Sequence, residues 1–462
     1  MTEQLKHISK SATQEGFEGY YMMQECLEAI VNTCDEGTYE VIVVDSASTD
    51  GVRDYLRSRD DIKLIINDSF PGFAGGCNQG AAAAQKNSDV FLLNNDAVVT
   101  PHSVFYLRMG LYENEKTGAV GPLSNSAVAF QKYNCGAQSK EEWMEAATRV
   151  NLPLENYARK AHWLQGHALL VRRNVWDELG GLDTGYAYGC GEDNDFGLEV
   201  NAAGYYTTVC TNAFVFHYGS VSMKNSSAEE NRIKNDNMRR LNEKWGINWV
   251  RDAFTRFGIL QYILCKPDET VKILDVYSGF GNIWNLFLHD NPRAEVYCIE
   301  KNQMIVNVAK NYLNISCCNI DEAEPSYQEN FFDYVLLAHD TVQYLVNPAQ
   351  ALKRLQPFLK QDGELIVTSP NPMNIRKIME LAKGNFEPQE DDGILHHFTC
   401  DDLTYVLKKA GYMPAHWSFR FNGTYERADD LSKKLVDELG KVEGAKSKSD
   451  FFVSDYTIKA HK

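Results

Sequence analysis

The stretch FLLNNDAVVT, Phe91 to Thr100, is an apolar run that breaks at Asn94-Asn95-Asp96 and then resumes. Asn and Asp make turns by bonding their own backbone, so the break reads as the place where a strand ends. It also reads as chemistry, because a carboxylate at a buried strand end is where many enzymes hold a divalent cation. The surrounding segments bear on the choice. VVDSASTDG (43–51) is a strand running into a turn, with Asp45 at its end and Asp50-Gly51 beyond. In open α/β sheets ligands sit outside the carboxyl ends of strands, which places Asp45 to accept hydrogen bonds from a base or ribose; a plain Asp-Gly turn is the alternative. In NDSFPGFAGGCNQGAAAA (67–84), Gly72, Gly75 and Gly76 let the backbone approach a ligand before the helix start at Asn78-Gln79, or simply make a tight connection. In YGCGEDNDFGLEVNAAGY (188–205), Phe196, Val200 and Ala203 recur at helical spacing and Gly204 is a natural stop. Glu192, Asp193 and Asp195 then fall in the first turn, where the helix dipole stabilises carboxylates. Three of them after a glycine-rich, aromatic loop exceed what capping requires.

The bulk composition narrows the class. A chain of 462 residues implies two to four domains. A net charge of −17, from 63 acidic and 46 basic residues, disfavours a surface built to neutralise nucleic-acid phosphates. No apolar run reaches the roughly 20 residues that cross a bilayer, and the first residues lack the pattern of a signal peptide. A cytoplasmic protein without a transmembrane segment is expected. The eleven cysteines lie mostly in apolar segments without a CxxC pair, which points to reduced thiols rather than a disulfide frame or a zinc site.

Two series of alternating strands and helices follow each other. The first has candidate strands at 39–45, 62–67, 89–94, 118–123 and 167–173; several lack alternation, as strands buried on both faces do, which implies a largely parallel sheet. The second has them at 271–277, 294–300, 332–338, 363–369, 415–421 and 451–460. The expected domains are 1–262 and 263–462, with the break near Lys266-Pro267 because Pro tends to end helices.

The ordered segments VVDSASTDG, GFAGGCNQG, LLNNDAVV, WLQGHALLVRRNVWDELGGLD, GEDNDFGLEVNAAGY and FVFHYGSVS resemble the inverting family 2 glycosyltransferases of GT-A fold, particularly the bacterial rhamnosyltransferase-like members. The resemblance covers roughly residues 24 to 225. It implies an enzyme with a nucleotide-diphosphate sugar donor and a glycan or lipid-linked glycan acceptor, in bacterial surface glycan synthesis. It places Asp45, Asp50 and Asn78 in the nucleotide pocket, and Asn94-Asn95-Asp96 where the family carries Asp-X-Asp. Asp96 would bind Mg²⁺ or Mn²⁺, with His217 as a second ligand or else a core residue. Asp193 takes the place of the general base, and Trp163, Gly166, His167 and Glu192 lie on the sugar and acceptor side. Two departures stand out. HISKSATQEGFEGYY (7–21) is too polar for the strand that opens the family fold, and Glu199 stands where the family helix usually carries Arg.

In the second half, ILDVYSGFGN (273–282) is a strand entering a glycine turn, and AEVYCIEKN (294–302) ends a strand on an acidic residue. A carboxylate about 20 residues after such a loop suits a ribose diol. With the segments that follow to HHFTCDDLTYVLKKAGY, this resembles the class I S-adenosylmethionine-dependent methyltransferases, and implies a Rossmann-like domain with a seven-stranded mixed sheet. It places Asp275, Gly279 and Gly281 around the methionine part of S-adenosylmethionine, Glu300 on the ribose and Asp321 near the adenine. Tyr277, however, occupies the family's first glycine, where a side chain intrudes on the cofactor or takes an unfavourable backbone angle. The two resemblances predict a glycosyltransferase, bifunctional if the second domain methylates. A transferase with a scaffold domain, and an interaction protein with both pockets degraded, are the alternatives.

Overall fold

The computed structural model describes residues 18–49, 51–128, 130–219, 228–253, 257–266, 268–384, 393–442 and 444–462. Asp50, Pro267 and residues 1–17 of the polar opening segment lie outside the described residues. The chain divides into two compact units, Met1–Trp249 with Asn307–Tyr312, and Val250–Val306 with Leu313–Lys462. The division falls ahead of the expected break at 262. The reason is local: Ile259 and Ile263 are buried, and the Leu264 amide donates to the Tyr334 hydroxyl, so this stretch packs with the second series of strands.

In the first unit, helix α1 (Glu18–Thr33) precedes β1 (Ile42–Ser46) and β2 (Lys63–Asn67), which pair in parallel as a two-stranded sheet. A second sheet holds β3 (Val90–Leu93), β4 (Ala97–Val99), β5 (Thr117–Leu123), β6 (Ala158–Ala161), β7 (Ala168–Val171) and β8 (Tyr206–His217). Its order is β3-β7-β5-β8-β4, with β6 also on β8. Only β5 and β8 pair in parallel; β3–β7, β5–β7, β4–β8 and β6–β8 are antiparallel. The expectation of a largely parallel sheet is thereby corrected. Continuous apolar runs signal burial on both faces, and β5 is buried at every position, but burial alone does not set strand direction.

Helix α2 (Phe73–Ala83) lies on β1. A Cβ on Gly80 would sit 3.5 Å from Val44, and one on Gly76 3.8 Å from it, so these glycines bring helix and strand into contact. Gly72 itself has φ 77° and ψ 160°, a region open essentially to glycine. The tight-connection reading of this segment is the better one. Helices α3 (Glu192–Ala202) and α4 (Ala228–Trp245) complete the part that bears on the site. Glu192, Asp193 and Asp195 lie in the first turn of α3, and Gly204 follows at φ 93°.

The second unit is one seven-stranded mixed sheet, as expected. Its strands are β9 (Lys272–Val276), β10 (Glu295–Glu300), β11 (Asn314–Cys317), β12 (Phe332–Leu337), β13 (Leu359–Pro370), β14 (Met413–Phe421) and β15 (Val453–His461). The order is β11-β10-β9-β12-β13-β15-β14, parallel through β13 and antiparallel at β15. Its core gathers Leu274, Val276, Ile299, Val335, Leu337, Leu365 and Ile458, all under 2% exposed. Helix α5 (Asn282–Asp290) follows the glycine turn. All eleven cysteines are free. Among the described residues no helix is long and apolar enough to cross a membrane.

Candidate functional site

The polar break after β3 is a turn and a side-chain site at once. The Ala97 amide donates to the Asn94 carbonyl at 3.0 Å, which closes the turn, and Asn95 is exposed. The turn aims Asp96 at His217, the last residue of β8, with Oδ1 and Nε2 3.2 Å apart. The other ring nitrogen, Nδ1, lies 2.8 Å from the Ser126 carbonyl, to which it donates. That bond fixes the tautomer and leaves Nε2 toward Asp96. Burial disfavours the His217 cation, but the Asp96 hydrogen bond and charge outweigh it, so its pKa is raised. His167 stacks on His217 with ring centroids 4.8 Å apart. It is 1% exposed, neither ring nitrogen has a hydrogen-bond partner among the described residues, and burial together with His217 pushes its pKa down to about 3. A neutral imidazole walled in this way supports the His217 ring rather than facing a sugar.

Asp193 stands where β7 begins. Its Oδ2 accepts from the Gly166 amide at 3.0 Å and its Oδ1 from the Asn194 amide at 2.9 Å. The next residue, His167, accepts from the Asn94 amide at 2.9 Å through its carbonyl. The consecutive residues Gly166 and His167 thus hold the Asp96 turn and the Asp193 carboxylate together. Glu192 beside it is 4% exposed, its Oε2 without a partner among the described residues, and burial plus the Asp193 charge raise its pKa to about 8. Burial raises Asp193 as well, against the two amides that favour its anion. Both Asp193 oxygens accept amides whereas one Glu192 oxygen has no partner among the described residues, which favours the proton on Glu192 and the anion on Asp193.

The loop before α3 is shaped for this. Tyr188, Gly189, Cys190 and Gly191 all have positive φ, from 63° to 124°. Asn237 of α4 clamps it: its amide donates to the Ala187 and Cys190 carbonyls at 2.8 and 3.0 Å, and its Oδ1 accepts from the Ala187 amide. Asp195 is fully buried against α4, bonded to the Trp245 indole at 2.7 Å and Lys244 at 2.6 Å. Lys244 also meets Glu199 at 2.8 Å, so the residue that replaces the family's Arg finds its cation on another helix.

Other expected residues are committed elsewhere. Asp45 is buried; its Oδ1 accepts from the Ser48 amide and its Oδ2 from Arg53 at 2.5 Å. Burial would raise its pKa, but Ser48 and Arg53 outweigh that and lower it. Asn78 spends both ends of its amide on Leu182, at 2.8 and 2.9 Å, and so pins the turn at Gly181 instead of facing a nucleotide. Trp163 is a core residue, edge-on to Phe130 and Trp249, and a Cβ on Gly197 would lie 2.4 Å from its own Cβ. Arg53, Ser126, Asn237 and Lys244 were not singled out from the sequence. Only Arg53 has a local signal, eight residues beyond Asp45 at the start of the helix that follows its turn.

No group of three or more His, Cys, Asp or Glu side chains is arranged to hold a metal among the described residues. Asp96 and His217 nevertheless bring an acidic oxygen and a ring nitrogen side by side, the donors that would hold a divalent ion.

In the second unit Asp275, next to last in β9, is fully buried, with Oδ2 on the Trp284 indole at 2.7 Å and Oδ1 without a partner among the described residues. Burial raises its pKa to about 7. Glu300 ends β10, its Oε1 accepting from the Lys301 and Asn302 amides and its Oε2 from Gly279. Burial, then the Asp252 charge, raise it to about 7. Asp321 accepts from the Val346 and Asn347 amides. Gly281, at φ 61°, caps α5 and has Leu313 where a Cβ would go.

Comparison with known proteins agrees with this division. Residues 18–161 match the model of glycosyl transferase family 2, and residues 267–411 that of a methyltransferase domain. An uncharacterised protein of Mycobacterium tuberculosis is 32% identical over 152 residues, 32% of this chain and 54% of that protein. The N-acetylglucosaminyl-diphospho-decaprenol L-rhamnosyltransferase of the same species is 24% identical over 217 residues, 41% of this chain and 70% of that enzyme. A solved S-adenosylmethionine-dependent methyltransferase from Archaeoglobus fulgidus covers 48% of this chain and 99% of its own at 15% identity, with a TM-score of 0.34. The chain spans about half the length of the first curated relatives it matches. Along the chain, a stretch similar to glycosyl transferase family 2 is thus followed by a stretch similar to a methyltransferase domain.

Proposed function

We propose that the first unit is an inverting glycosyltransferase that moves a sugar from a nucleotide diphosphate to a glycan or lipid-linked glycan in bacterial surface glycan synthesis. The observation that carries this reading is the pair Gly166-His167, which fixes the Asp96 turn and the Asp193 carboxylate to adjacent residues. A diphosphate-binding group and a base held on one rigid strand start are what a single displacement requires. The rhamnosyltransferase relative supports the sugar-transfer chemistry.

Asp96 and His217 would hold Mg²⁺ or Mn²⁺, which when bound neutralises charge on the departing diphosphate. The rest of the chemistry belongs to the chain. Asp193 accepts the proton of the acceptor hydroxyl as that oxygen attacks the anomeric carbon from the face opposite the leaving nucleotide, so configuration inverts. The protonated Glu192 keeps the site at one negative charge, which limits repulsion of an anionic donor. Asn237 and the strained 188–191 loop set the angle at which α3 presents Asp193. A cytoplasmic location accords with donors made from nucleotide triphosphates.

A screen of UDP, dTDP and GDP sugars with Mn²⁺ tests the reading. Turnover of at least one donor, lost in Asp96→Ala, is expected. Absence of both turnover and nucleotide protection against unfolding across the panel would instead favour an interaction protein.

A further inference from the structure

Tyr277, at the position where the methyltransferase pattern has its first glycine, is held at φ 58°, a conformation costly for a residue with a bulky side chain. The surroundings over-determine it. The ring is 8% exposed, its hydroxyl donates to Asn319 Oδ1 at 3.0 Å and accepts from the Ile320 amide at 3.2 Å. The Lys301 ammonium lies 5.3 Å from the ring centroid. These partners sit directly before Asp321, so the phenol takes up the hydrogen-bonding groups on the side where the pattern puts the adenine.

The other flank of the turn is closed by backbone. The Asp252 carbonyl accepts from the Phe280 amide at 2.8 Å, and a Cβ on Gly279 would fall on that carbonyl oxygen, 2.2 Å away. Glycine at 279 therefore makes room for Asp252, not for a ligand. Glu300 already accepts from the amides of Gly279, Lys301 and Asn302, and Asp321 Oδ1 from those of Val346 and Asn347. Among the described residues Arg251, Asp252, Tyr277, Glu300, His339 and Tyr344 line a small cavity of about 20 Å³ beside the turn, room for a water.

We infer that this domain keeps the methyltransferase fold but binds no S-adenosylmethionine, because Tyr277 and the Asp252 backbone fill the cofactor cleft from within. The glycine turn expected to hold the cofactor does not fit it, since Tyr277 and the Asp252 carbonyl stand where a ligand would approach, and the domain is a cofactor-free part of the chain. Isothermal titration of the full chain with S-adenosylmethionine and, separately, S-adenosylhomocysteine tests this. No binding heat is expected for the wild type or for Tyr277→Phe at about 1 mM ligand, and no rise in unfolding temperature. Tyr277→Gly, which removes the plug and suits the positive φ, is expected to gain at least about tenfold in affinity for either ligand. Wild-type binding with Kd below about 100 μM overturns the inference by itself. So does a Tyr277→Gly chain that unfolds cooperatively near the wild-type temperature yet binds neither ligand, since Tyr277 would then not be what closes the cleft.

Discussion

The burial of Glu192 beside Asp193 makes their site sensitive to pH in a definite direction. Burial, then the Asp193 charge, push the Glu192 carboxyl from its ordinary 4.5 up to about 8 in the fold. Between those values the folded state binds the extra proton, so the stability from this group is complete below pH 4.5 and is lost as pH rises toward 8. Glu192→Gln removes the titration. Chemical denaturation at pH 5 and pH 8 should show a fall, on the order of a few kcal/mol, that is smaller in Glu192→Gln than in the wild type. An equal fall in both would place the proton elsewhere. Sequence spacing placed all three carboxylates in the first turn of α3, but which one is the anion was not legible. That depends on the Gly166 amide, 27 positions away in the chain. The same limit applies to Asp45 and Asn78, whose partners Arg53 and Leu182 consume groups that look available in a motif.

At the scale of elements, the loop from Tyr188 to Gly191 and its clamp explain how an unfavourable backbone persists. Four successive positive φ values, two at non-glycine residues, need outside support, and Asn237 supplies three hydrogen bonds from α4. Asn237→Ala should cost roughly 1 to 3 kcal/mol, read from the denaturation midpoint, because it leaves buried backbone groups unpaired. It should also lower kcat more than it raises the donor KM, since the loop sets Asp193 and not the Asp96 turn. A change in KM alone would detach the loop from the base. The long apolar runs were legible as strands within a few residues. β8 was not, because its Thr, Cys and Asn residues hide a strand buried at nearly every position. β6, reading Ala-Arg-Lys-Ala, exists through its pairing with β8 and carries no pattern of its own. The break in FLLNNDAVVT admitted two readings, and both hold geometrically: it is a closed turn, and the turn is what aims Asp96 at His217.

Across the whole molecule, two separate cores carry the two family resemblances, and a ligand of the first should tell them apart. A nucleoside diphosphate with Mn²⁺ at about 100 times its Kd should stabilise the first unit by roughly 2.7 kcal/mol, raising its thermal transition, while Asp96→Ala abolishes the rise. An unchanged shift in Asp96→Ala would move the diphosphate site away from the Asn94 turn. The fold of both units was legible because ordered segments specify strands and helices redundantly. The self-filled cleft at Tyr277 was only half legible: the sequence shows a side chain where glycine is usual, but not that the Asp252 carbonyl closes the other flank. The most direct test of the central claim is sugar transfer by wild type and Asp193→Asn, followed by the anomeric configuration of the product. The account predicts inversion by the wild type, with transfer reduced about 10²-fold or more and donor binding retained in Asp193→Asn. Retention of configuration, or transfer by Asp193→Asn at the wild-type rate, would contradict it.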